Sequence, residues 1–233
     1  MTRQQFFEQL DSRIAKYDLL CHPFYKAWSA GELTRDDLRN YALDYYHHVQ
    51  AFPSYLAAFA LRLNDGELRR AVLANMLDEQ GGENAAGEQG TAHSELWLDF
   101  AEGMGAGRKE FGHKAVPEIG KLVAHFSTVA SEGTPEEALA AFYAYESQVP
   151  RIAKEKERGL REVYGADEST TRYFSLHATA DVHHSNVWRD QLGKRIAENP
   201  EGAERALSSA EAAAKALWRA LDGIEERRMA LAA

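Results

Sequence analysis

Apolar residues along the chain recur every three to four positions over most of its length, the period of a helix with one buried face. No stretch alternates with the period of two that a half-buried strand requires. The pattern predicts helices near residues 2–18, 22–30, 34–63, 65–80, 91–104, 116–131, 134–164, 168–197 and 200–230. Three starts carry a capping side chain ahead of acidic residues: Thr34, Thr134 and Asn199. Thr134 is the strongest, with Pro135 at the first helical position and Glu137 completing a capping box. Two predicted helices contain prolines, Pro53 and Pro150, which deprive the carbonyls of Val49 and Glu146 of their helical donors. The clearest loop, GGENAAGEQGT at 81–91, is too short for a domain linker. The expectation is one all-α domain over residues 1–233, a helix bundle.

Three predicted helices put acids or imidazoles on their apolar face. Leu68, Val72 and Met76 make a stripe whose next member is Glu79, and Leu139 and Phe142 lead to Glu146, followed by Val149 and Ala153. Between Tyr173/Phe174 and Trp188/Leu192 the inward positions are His177, Asp181 and His184. At about 100° per residue these three fall within roughly 60° of arc, whereas His183 lies about 120° from His177. A buried carboxylate needs a positive partner. Arg or Lys would serve, and so would metal ions. Singly, each residue reads as a satisfied core polar group; their convergence favours metal.

Composition narrows the metal. The 233 residues include nine histidines but one cysteine, which excludes an internal disulfide and a Cys-based zinc site. Donors limited to nitrogen and oxygen suit iron or manganese. With 27 Lys plus Arg against 36 Asp plus Glu, the net charge of −9 argues against nucleic acid and anionic membranes as partners. The longest apolar run, Tyr55 to Leu61, is too short to span a bilayer, and the N-terminus lacks a signal-peptide core. The expected location is the cytoplasm. Cys21 reads as a small packed residue.

The motifs Glu-x-x-His of ferritin-like diiron proteins fit in part. Asp181-x-x-His184 supplies one pair. Glu110-x-x-His113 sits in a glycine-bounded segment without an apolar stripe, so a further histidine must come from elsewhere. His93, close in sequence to Glu79, is a candidate that helical phase does not place.

The stretches HPFYKAW (22–28), LRNYALDYYHHVQAFPSYL (38–56), HSELWLDFAEGMG (93–105), YAYESQVPRIAKEKERGL (143–160) and HATADVHH (177–184) resemble the family of the chlamydial death-domain-associating protein and its bacterial relatives. These are heme-oxygenase-like dimetal oxygenases linked to folate metabolism. The resemblance covers most of the chain and implies a bundle of seven to nine helices with a nonheme Fe/Fe or Mn/Fe site. It further implies Glu79, His93, Glu146, His177, Asp181 and His184 as ligands, and O2 and an external electron donor as co-reactants. The connection between Glu79 and His93 is longer here than is usual in the family, which leaves Glu83, and more weakly Glu88, as alternative carboxylates. The implied activity is oxidative formation of p-aminobenzoate at the protein's own expense. Tyr25 would provide the ring, assisted by Tyr41, and Lys156 the amino group.

Two other readings stay open. One is a metal-free cofactor enzyme like thiaminase II or pyrroloquinoline-quinone oxidase; the other is a non-enzymatic helical module that binds a protein. A homodimer is compatible with either. Tyr41, Tyr45, His48 and Phe52 share a helix face, which reads as an aromatic lining of a site or as ordinary core. Lys156, at the edge of the Glu146 stripe, reads as half-buried or as part of a charged, exposed face.

Overall fold

A computed structural model describes residues 1–64, 66–82 and 89–232. Its α-helices are α1 (Arg3–Ala15), α2 (Pro23–Ala30), α3 (Arg35–Arg62), α4 (Glu67–Glu79), α5 (His93–Gly103), α6 (Pro117–Glu132), α7 (Pro135–Glu146), α8 (Val149–Glu162), α9 (Glu168–Glu198) and α10 (Ala203–Ala232). Short 3-10 turns lie at Leu19–Cys21, Arg108–Gly112 and Pro200–Gly202, and the described residues contain no strand. None of these helices is long and apolar enough to cross a membrane.

The centre of the bundle is α7. Residues Ala138 to Ala144 are buried on all sides, as expected of a helix without a polar face. On one side it meets α10, whose Ala206, Ala210, Ala213, Ala214 and Ala220 let the two backbones approach closely. On another it meets α9. Helix α3 packs on α4, α5 and α6, while α8 lies along α9. Glu146, the last residue of α7, is thereby delivered to the middle of the molecule.

Two of the expected caps form as the sequence dictates. Thr34 Oγ1 accepts the Asp37 N–H and Thr134 Oγ1 the Glu137 N–H, and both boxes are reciprocated. Asn199 makes no side-chain capping bond; it precedes the Pro200–Gly202 turn, and α10 begins beyond it at Ala203. The first predicted helix is shorter than expected, ending at Ala15. Pro53 lies inside an otherwise continuous α3. Pro150 does not interrupt a helix. The predicted helix 134–164 is two helices, because the Gln148 N–H turns back to the Tyr145 carbonyl and α8 restarts at Val149. Pro150 then occupies the first turn of α8, where a missing N–H costs nothing. Cys21 is exposed, not packed.

Candidate metal centre and the tyrosine–lysine cluster

Six side chains from four helices meet in the interior. Glu79 ends α4, His93 begins α5, Glu146 ends α7, and His177, Asp181 and His184 come from one face of α9. None is more than 6% exposed. Donor atoms of Glu79, His93 and His177 lie within 4.8 Å of one another, and so do those of Glu79, Glu146 and His184. Glu79 is common to both groups. Asp181 lines the same small cavity as Glu79, Glu146 and His177.

Helical phase could not place His93; the chain crossing at Gly81 does. Gly81 has φ +70°, and a Cβ there would lie 2.5 Å from the Ala92 nitrogen. Only glycine permits both the left-handed turn and this approach. It brings His93 Nδ1 to 2.9 Å from Glu79 Oε2. Glu83 and Glu88 lie outside the described residues.

Surrounding groups orient these donors. The His177 Nδ1–H donates to the Tyr173 carbonyl at 2.7 Å, which fixes the tautomer and leaves Nε2 as a lone pair. Asn75 Nδ2 donates to Glu146 Oε1 at 3.1 Å, and Trp188 Nε1 donates to Glu146 Oε2. Asn75 is legible as an inward polar residue one turn before Glu79; Trp188, an apolar position by pattern, acts through its one polar atom. His184 Nδ1 lies 3.3 Å from Asp181 Oδ1, and His184 Nε2 lies 3.3 Å from Asp78 Oδ2.

The electrostatics are those of a site short of positive charge. Burial, with the neighbouring Asp181, pushes the Glu146 carboxyl well above the usual carboxylate range. At Glu79 burial also raises, but His93 outweighs it and the carboxyl falls below its ordinary value. Burial lowers His184, yet Asp181 and Glu146 carry it up to about 9. The principal electrostatic neighbours of Glu79 and Glu146 are one another, Asp181 and the histidines, with neither Lys nor Arg among them. Nitrogen and oxygen donors converging without a fixed cation fit metal ions.

A second buried cluster lies beside the first. The Tyr25 and Tyr41 hydroxyl oxygens are 3.0 Å apart, and Lys156 Nζ donates to Tyr25 Oη at 2.8 Å and to Tyr41 Oη at 2.5 Å. Lys156 is 6% exposed, so its half-buried and exposed alternatives both give way to full burial. Its ammonium position is faced by the rings of Tyr25, Tyr41 and Trp28 at 4.3, 4.7 and 5.3 Å. Burial drives the Lys156 pKa well below the ordinary lysine value and that of Tyr25 up.

Tyr45 stacks on Tyr41 at 5.4 Å between ring centroids, and His48 meets Tyr45 and Phe52 edge-on. The α3 face expected to be aromatic is therefore continuous with the site. His48 is held neutral by burial, its pKa lowered to about 3. A cavity of about 30 Å³ adjoins Tyr25 and Lys156 on one side and Tyr145 and Tyr173 on the other. Tyr145 and Tyr173 also line the cavity among the candidate ligands, so the two clusters share a wall. Trp97 completes that wall, its ring 4.8 Å from Tyr173 and 5.7 Å from Tyr41.

The chain is similar to known proteins over most of its length. The sequence profile of a family described as iron-containing redox enzymes matches residues 39–218. The 4-aminobenzoate synthase of Nitrosomonas europaea is 39% identical, with 97% of this chain and 93% of that protein covered. The 4-aminobenzoate synthase of Chlamydia trachomatis is 36% identical over 93% of this chain and 90% of its own. A Shewanella denitrificans domain of unknown function with a heme oxygenase-like fold superposes with a TM-score of 0.81 at 15% identity, covering 100% of this chain and 96% of that one. The chain belongs to the iron-containing redox enzyme family with the heme-oxygenase-like fold, in the group that includes the chlamydial 4-aminobenzoate synthases.

Proposed function

We propose that this protein forms 4-aminobenzoate (p-aminobenzoate) for folate synthesis as a nonheme dimetal oxygenase, taking the ring from Tyr25 and the amino group from Lys156. The observation that carries the reading is the position of Lys156 Nζ, 2.8 Å from Tyr25 Oη. In 4-aminobenzoate the nitrogen stands para to the carboxyl-bearing carbon. In tyrosine the hydroxyl-bearing carbon is para to Cβ. An amine held at the hydroxyl end therefore meets the one ring carbon that the product requires. The ring C–O bond and the Lys156 Cε–Nζ bond break as the nitrogen is transferred, and the Cα–Cβ bond breaks as O2, with the external reductant, oxidises Cβ to the carboxyl carbon.

Glu79, His93, Glu146, His177, Asp181 and His184 are the residues that would hold two metal ions, Fe/Fe or Mn/Fe. Bound there, the pair would supply O2 activation, with electrons from an external reductant. The chain's own part is positioning and exclusion of water. Lys156 pairs with no carboxylate among the described residues, and its burial disfavours the ammonium and so favours the amine with its lone pair. Tyr41 holds the Tyr25 hydroxyl and the amine together in one network. Fixing amine and ring at contact distance replaces a diffusing substrate. A metal-free reading has no use for Glu79, Glu146 and Asp181 buried together, and an interaction module has no use for buried charge of any kind.

Protein loaded with Fe(II) and Mn(II) and exposed to O2 with reductant should release 4-aminobenzoate and lose mass at Tyr25 by peptide mass spectrometry. Protein labelled with ¹⁵N at lysine should pass the label to the product. Tyr25→Phe should give no product; turnover that is merely slowed would mean that the ring comes from elsewhere.

A further inference from the structure

The ring of the proposed product begins enclosed, with Tyr25 3% exposed. Aromatic rings wall it in on most sides: Trp28, Tyr41 and Phe24 are in direct ring contact with it. One side differs. The cavity beside Tyr25 and Lys156 continues past Ala153 and Ile152 to Val149 and Leu19, and Val149 is only half-buried.

At that point two irregular segments face each other. Leu19 lies in the 3-10 turn after α1, and Val149 opens α8 immediately after the α7–α8 break. Polar bonds join the segments. Arg151 grips both carboxylate oxygens of Asp18, at 2.7 and 3.1 Å, and Gln148 Oε1 accepts the Leu19 N–H at 3.1 Å. The Arg151 and Asp18 side chains are 49% and 25% exposed, so the pair can be exchanged for water at small cost. Elsewhere the cavity is lined mainly by buried aromatic rings, those of Tyr45, Trp97, Tyr145, Tyr173 and Phe174.

We propose that the seam between the Leu19–Cys21 turn and the first turn of α8 is the portal by which the small aromatic acid leaves, with Arg151 and Asp18 as its latch. The inference rests on the function proposed above. Leu19 and Ile152 form its throat, and opening it parts the Arg151–Asp18 pair and the Gln148–Leu19 bond, contacts that involve none of α3, α5 and α9.

The test is a single turnover of metal-loaded protein with O2 and reductant, sampled in two ways. Acid denaturation reports all 4-aminobenzoate formed, and rapid filtration reports what has left the protein. The quantity compared is the released fraction against time. Arg151→Gln should raise the release rate about twofold to fivefold, the range expected for one partly exposed ion pair. Added salt should speed release from the wild type but not from this variant. Ile152→Trp, which fills the throat, should slow release several-fold; Leu19→Trp serves in its place if that variant does not fold. Release rates unchanged in Arg151→Gln and in the throat variant would overturn the portal while leaving the function standing. No product in the acid-denatured wild type would overturn both.

Discussion

Lys156 is a buried amine whose hydrogen-bond partners are two neutral phenols. Because burial depresses its pKa, the unfolded chain holds more protons than the folded one between the depressed value and the ordinary lysine value of 10.5. Stability must rise with pH across that window and fall as the amine protonates at lower pH. Urea unfolding of wild type and Lys156→Met at several pH values below 10, where unfolded tyrosines begin to ionise, should show wild type gaining on the variant as pH rises. Parallel profiles would mean that the surrounding rings hold an ammonium instead. Glu146 poses the opposite problem, an acid pushed toward its neutral form. Glu146→Gln removes the charge but keeps only one acceptor for Asn75 and Trp188, and should lower bound iron and manganese, as read by elemental analysis.

Individual helices are held by local chemistry that can be removed one piece at a time. Thr134→Ala deletes a reciprocated cap and should cost about 1 kcal/mol in chemical denaturation. Asn199→Ala, at a position that looks equivalent in sequence, removes no capping bond and should change stability by less than about 0.5 kcal/mol. The contact between α2 and α8 depends on Gly159, where an added Cβ would stand 2.9 Å from Trp28 Cδ1. Gly159→Ala must displace Trp28, which also flanks Lys156. It should destabilise by roughly 1–3 kcal/mol, visible as a shifted tryptophan fluorescence and a lower denaturation midpoint.

At the scale of the molecule, the six candidate ligands tie α4, α5, α7 and α9 together through one buried point. A metal that binds only the folded form adds about 2.7 kcal/mol at a free concentration one hundred times its dissociation constant. Anaerobic Mn(II) or Fe(II) should raise the thermal midpoint of the wild type, and the rise should shrink in Glu79→Gln, which removes the carboxylate common to both donor groups. An equal rise in that variant would place the ions elsewhere. The bundle keeps the candidate metal centre and the tyrosine–lysine cluster as neighbours because α3 and α8 bring Tyr45 and Lys156 to the wall that α7 and α9 share through Tyr145 and Tyr173.

Helical phase is a property of a few consecutive residues, so it was fully legible: Glu79, Glu146, His177, Asp181 and His184 are all buried where their stripes require, and His183 is exposed. The all-helical class and the caps at Thr34 and Thr134 were legible for the same reason. His93 was not, because a residue at the start of a helix is aimed by the chain crossing before it, here at Gly81 against Ala92. Nor was the burial of Lys156, since a long side chain on the edge of a stripe goes inward only if a distant helix offers partners, and Tyr25 and Tyr41 lie on α2 and α3. Pro150 marked a disturbance, but whether it kinks a helix or begins a new one is settled by the turn before it, where the Gln148 N–H bonds the Tyr145 carbonyl and the Gln148 side chain meets the Leu19 N–H of a distant segment. The sequence by itself determined which groups face inward on each helix. Which of them touch one another is decided by packing between elements far apart in the chain, and only the tertiary structure carries that.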